Sequence, residues 1–126
     1  MAADLDPHLP QPAQIEAYGS GGFRFGGVSH RGSLLCFPDG VWAWPVAAPE
    51  EIGEATLARF FTRANMLHYV LLGTGADPWP LPDALRQRFR ALRLTVETMP
   101  TGPAVRTYNV LLAERRQIGA GLIAVG

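Results

Sequence analysis

Lysine is absent from this chain of 126 residues, whose eleven basic residues are all arginine. Schiff-base chemistry and a phosphate-loop lysine are therefore excluded. Cysteine occurs once, at Cys36, so the chain forms no intrachain disulfide and no cysteine-based zinc cluster. The thiol sits in the apolar run "SLLCFP" with no histidine or arginine beside it, which reads as a buried structural cysteine. Net charge is absent too: eleven acidic residues balance eleven arginines, leaving no long-range field to gather polyanions. Nucleic acid is not an expected partner.

Long apolar runs are missing, and none approaches the ~18–20 residues of a membrane-spanning helix. The first residues, "MAADLDPHLPQPAQ", carry acids where a secretory signal has a basic region and an apolar core. Residues 1–14 read as a loose tail, residues 15–126 as one domain, and the expected location is cytoplasmic. His8, His30 and His68 stand apart from one another, and no Ser/His/Asp or metal-ligand spacing occurs, so neither a metal nor a cofactor is expected. Glu50 and Glu51 precede a helix, where they favour its dipole. With no catalytic set in view, the residues favour a binding protein over an enzyme.

What remains is rich in glycine and in short apolar segments. In "IEAYGSGGFRFGGVSHRGSLLCFPDGVWAW", β-prone pieces alternate with glycine clusters and with Pro38-Asp39-Gly40, the pattern of successive hairpins. Trp42 and Trp44, at i and i+2, share one strand face and suit core packing. From Glu54 the period becomes helical, with Leu57, Phe60, Phe61 and Ala64 on one stripe. Strand-length "LHYVLLG", helical "PDALRQRFRAL", strand-like "LTVETM", a third helix and "IGAGLIAV" follow. This alternation defines an α/β domain with a mixed, largely parallel sheet and N-terminal β-hairpins. Residues 67–72, 94–98 and 118–124 are predicted to be neighbouring strands of that sheet.

Two stretches carry candidate sites. Arg86, Arg90 and Arg93 recur at i, i+4 and i+7 opposite Leu85, Phe89 and Leu92, a basic face that is either solvated surface or a dock for an acidic protein. In "MPTGPAVRTYNVLLAE" a helix is capped by Thr101 or Gly102 with Pro103 in its first turn, and Ala104, Tyr108, Leu111 and Leu112 form the buried stripe. Arg106 then lies near the positive end of the helix dipole, which calls for a compensating negative group. That group is either a bound anion or a carboxylate such as Glu97 or Asp77, and Asn109 orients a neighbouring loop. The anion reading predicts a weak site of Gly73, Thr74, Gly75, Thr101, Arg106 and Asn109, fed by free N–H groups of Ala104 and Val105. Neither "GSGGFRFGG" nor "LLGTGADPWP" has the spacing of a dinucleotide loop.

The segments "IEAYGSGGFRFGG", "GSLLCFPDGVWAW", "LLGTG" and "MPTGPAVRTYNVLLAERRQIGAGLIAV" together resemble the family known as domain of unknown function 498 over roughly residues 15 to 125. Gly73-Thr74-Gly75, Met99, Thr101, Ala104 and Arg106-Thr107-Tyr108-Asn109 are its most specific parts, supported by Gly32-Ser33 and Trp44. The resemblance implies a three-layer fold around a mixed sheet. It carries no catalytic residues across. The family includes a mitochondrial factor for assembly of respiratory complex I and an adipogenesis-associated protein, so it implies an accessory or assembly role exercised by binding other proteins. The acidic start of this chain, unlike an arginine-rich transit peptide, suggests a bacterial-type stand-alone domain.

Overall fold

Paired residues of positive φ set the corners of the first hairpins. The computed structural model describes residues 7–126, and in it β1 (Ile15–Gly19), β2 (Gly22–Phe25) and β3 (Val28–Arg31) form a three-stranded antiparallel sheet. The two connecting pairs, Ser20-Gly21 and Gly26-Gly27, have φ between 52° and 79°, the left-handed backbone that two-residue hairpin loops require. This small sheet is the hairpin meander expected from the glycine clusters.

The second sheet has five strands in the order β5-β4-β8-β6-β7, where β4 is Ser33–Phe37, β5 Gly40–Trp44, β6 Tyr69–Gly73, β7 Thr95–Met99 and β8 Ile118–Leu122. Strands β8, β6 and β7 run parallel, as predicted for the three apolar segments, while β4 and β5 add two antiparallel ladders. Helix α1 (Glu54–Thr62) precedes β6, α2 (Asp83–Ala91) joins β6 to β7, and α3 (Thr101–Ala113) joins β7 to β8.

Continuous apolar strands follow from burial on both faces. Strand β4 sends Leu35 and Phe37 to one face, where Trp42, Trp44, Leu57, Phe60, Leu85 and Phe89 close around them. Phe60 lies edge-on to Phe37 at 5.0 Å between ring centroids and takes α1 into this cluster. Leu34 and Cys36 point the other way, to Phe23, Phe25, Ala104 and Tyr108. The layers are thus α1 and α2, the five-stranded sheet, and α3 with the three-stranded sheet.

Residues 1–6 of the expected tail lie outside the described residues. From His8 the chain runs beside β5: the His8 N–H donates to Val41 O at 2.8 Å and the Val41 N–H to Leu9 O at 3.0 Å.

Candidate functional site

The loop after β6, the start of α3 and the end of β8 meet at Thr101. Its side chain is fully buried; the hydroxyl accepts from the Gly75 N–H at 2.9 Å and donates to Ile123 O at 2.7 Å. The Thr101 N–H donates to Gly75 O at 2.8 Å, and the Thr74 N–H to Met99 O at 2.9 Å. Gly75 holds φ +96°, and a Cβ on Gly73 would stand 3.2 Å from the Cβ of Ala104, so glycine admits both the turn and the close approach of α3. Gly73, Thr74, Gly75 and Thr101 thus lie together in the fold. Their polar groups, however, are turned on one another: the Thr74 hydroxyl, too, donates to Asp77 O at 2.8 Å.

The helix begins at Thr101 with Pro100 as its cap, ahead of both expected caps, Thr101 and Gly102. Ala104 N–H consequently donates to Pro100 O at 3.0 Å instead of standing free, and Val105 is buried inside the first turns. Arg106 is exposed and makes no ion pair among the described residues. Glu97, a carboxylate suggested for it, receives the Tyr69 hydroxyl. Asn109 does tie down a neighbouring segment, but that segment is β1: its Oδ1 accepts from the Ile15 N–H at 2.8 Å and its Nδ2 donates to Ile15 O at 2.9 Å. This is the pairing a strand residue would offer, supplied by a side chain across 94 residues of sequence.

Tyr108 and Cys36 are neighbours in the buried layer that α3 shares with β4. Burial pushes the Cys36 thiol up to about 12, outweighing the neighbouring Tyr108 hydroxyl, which acts the other way, and burial also raises Tyr108. Cys36 is therefore a packed, protonated thiol rather than a nucleophile. Sequence spacing carried no signal for this pair, because the strand and helix that bring it together are distant in the chain. Likewise His30, read as solitary, lies 4.7 Å from the His8 ring, and desolvation together with that neighbour holds its pKa below the usual histidine value. Among the described residues no group of three or more His, Cys, Asp or Glu is placed to hold a metal ion.

A crevice of about 420 Å³ opens beyond the carboxyl ends of β6 and β8. Thr74 and Gly75 line it, together with Glu50, Asp77, Trp79 and Ile123; Gly73, Thr101, Arg106 and Asn109 do not. Its charged walls are acidic.

Positive charge gathers elsewhere. Arg86, Arg90 and Arg93 line one groove of about 340 Å³ with Leu94, Thr95 and Val96, where α2 hands over to β7. Helix α2 stops at Ala91, so Arg93 joins from the closing turn rather than from the helix face: its φ is +60° and its N–H donates to Arg90 O at 2.9 Å. None of the three arginines pairs with a carboxylate among the described residues, whereas Arg88 reaches Glu54 at 2.8 Å and covers the Phe61 ring at 4.4 Å. No helix among the described residues is long and apolar enough to cross a membrane.

A five-stranded mixed sheet between a helical layer and a layer of helix plus small sheet defines a three-layer α/β domain. Residues 15–123 match the family described as Protein of unknown function (DUF498/DUF598), and the chain belongs to that family. An uncharacterized protein of Rhodobacter capsulatus is 36% identical over 96% of this chain and 92% of its own length. The NADH dehydrogenase [ubiquinone] 1 alpha subcomplex assembly factor 3 of Danio rerio is 28% identical over 86% of this chain; the match spans only 63% of that longer protein. Among solved structures, a protein described as an outer membrane protein from Bartonella henselae superposes with a TM-score of 0.91 at 42% identity, covering 94% of this chain and 100% of that one. The Rpa2829 protein of Rhodopseudomonas palustris gives 0.85 at 50% identity, covering 99% and 93%.

Proposed function

We propose that this domain is a non-catalytic accessory or assembly protein that works by docking an acidic protein partner on the face formed by Arg86, Arg90 and Arg93. The observation that carries this reading is the convergence of three arginines on one groove with no carboxylate among the described residues to answer them. Arginine is favoured at interfaces and where planar carboxylates are recognised. The kinship with complex I assembly factors supports the same direction, since those relatives are named for assembling a multiprotein complex. A cytoplasmic, bacterial-type setting fits this reading.

The test is reversal of Arg86, Arg90 and Arg93 to glutamate together, followed by quantitative recovery of stoichiometric partners on the tagged chain. Partner recovery should collapse while the melting temperature stays nearly unchanged, because exposed substitutions usually alter stability by no more than about 0.5 kcal/mol. Equal recovery from both proteins would remove the docking role.

A second reading, a small molecule in the crevice beyond β6 and β8, is supported by its volume of about 420 Å³ at the position where open α/β sheets bind ligands. Glu50 and Asp77 on its walls suit a neutral or cationic ligand better than an anion. A metabolite co-purifying with the clean chain would favour this reading over docking.

A further inference from the structure

The arginine groove runs along an open sheet edge. Strand β7 ends the five-stranded sheet and has β6 as its single neighbour in it. In the parallel ladder Gly73 stands opposite Met99, and Met99 O accepts from the Thr74 N–H at 2.9 Å. Backbone groups alternate in direction along a strand, so Thr95, Glu97 and Met99 turn theirs toward β6, while Val96 and Thr98 turn theirs outward. No described residue pairs with those outward groups. At the opposite edge, by contrast, Val41 of β5 is partnered by His8 and Leu9. The side chains of Val96 and Thr98 fall on the face that carries Leu94 and α2, which is the face of the arginine groove.

Resting on the docking role proposed above, we infer that the partner binds β7 as a sixth strand: an extended acidic segment pairs with the outward backbone groups of Val96 and Thr98 while its carboxylates meet Arg86, Arg90 and Arg93. Strand addition supplies affinity through main-chain hydrogen bonds, and alternate side chains supply selectivity. Here the selecting groups are cationic, with no internal counter-charge among the described residues. A second copy of this chain is a poor occupant, because it would bring the same three arginines and Glu97 to an edge that already carries them.

The probe is an acetylated, amidated hexapeptide alternating glutamate and valine, titrated into the full chain by heteronuclear NMR and calorimetry. Saturable binding should perturb the amides of Val96 and Thr98 and slow their hydrogen exchange. Methylating alternate peptide nitrogens on one edge should weaken binding about tenfold or more, as loss of two or three main-chain hydrogen bonds requires. A lysine and valine hexapeptide should not bind. Thr98→Pro removes an outward N–H without touching the ladder to β6 and should weaken binding comparably. Simultaneous Arg86→Glu, Arg90→Glu and Arg93→Glu should abolish it.

The N-methylated peptide needs no altered protein, so the inference stays testable if Thr98→Pro fails to fold. If the methylated peptide binds as well as the parent while arginine reversal abolishes binding, strand addition is overturned and the arginine dock stands. If the parent peptide does not bind, or binds the reversed protein equally well, the inference and the acidic-partner reading both fall. A polyuridine oligomer that displaces the peptide from the same amides would overturn the peptide assignment in favour of nucleic acid.

Discussion

Thr101 shows how one side chain decides the geometry of three segments. Its hydroxyl spends its one donor and one of its two acceptor positions inside the protein, and the residue is fully buried. Thr101→Val keeps the shape but strands the Gly75 N–H and Ile123 C=O, so we expect a loss of roughly 1–3 kcal/mol in urea denaturation. A second residue-scale expectation concerns pH. The folded state holds the Cys36 proton to about 12, against 9.0 for an unperturbed thiol, so its contribution is complete below about pH 9 and lost as pH rises toward 12. Tyr69, raised to about 12 by burial and by its bond to Glu97, adds to the same alkaline loss. Cys36→Ala should therefore be less stable than wild type at neutral pH yet lose less stability between about pH 9 and 11, as read from melting temperatures. Identical slopes would mean that the thiol ionises freely in the folded protein.

Among the elements, β1 depends on α3 as well as on its own sheet. It is an edge strand of a three-stranded sheet, and the side chain of Asn109 provides the two hydrogen bonds that Ile15 would otherwise take from a strand. Asn109→Ala should accelerate amide exchange through Ile15–Gly19 while leaving β6 and β8 protected, at a cost of about 1–2 kcal/mol. Uniform loss of protection across both sheets would show instead that Asn109 supports the whole fold. Helix α2 shows the opposite dependence. Leu85 and Phe89 anchor it by their own burial, and of its arginines only Arg88 pairs with a carboxylate among the described residues, Glu54.

Across the whole molecule, charge is balanced in sum but sorted in space. The crevice beyond β6 and β8 carries Glu50 and Asp77, whereas the arginines gather beside β7. Arg106 belongs to neither. Phosphate should therefore raise the melting temperature of wild type and Arg106→Ala equally against matched chloride, through exclusion from the surface alone. A phosphate response that disappears in Arg106→Ala would restore an anion site at the start of α3.

The spacing of apolar residues, with the glycine and proline breaks between them, determined the element order, the three parallel strands and the two-sided burial of the central sheet, because such spacings are local properties that survive without tertiary information. The sequence likewise placed Gly73-Thr74-Gly75 beside Thr101, since neighbouring parallel strands leave the sheet at the same edge and Gly73 stands opposite Met99. It could not tell a polar group that awaits a ligand from one already satisfied. Asn109 finds Ile15, and Cys36 finds Tyr108, only after β1, β4 and α3 are stacked, and the sequence separations involved leave no periodic trace. Nor could spacing show that α2 ends before Arg93, because the left-handed turn that stops it is stabilised by the Leu94 N–H bonding back to Phe89 O at 2.9 Å. The tertiary structure decided which polar residues are spent on holding the fold and which, such as the three arginines beside the β7 edge, have no carboxylate partner among the described residues, because pairing depends on elements that meet only in the folded chain.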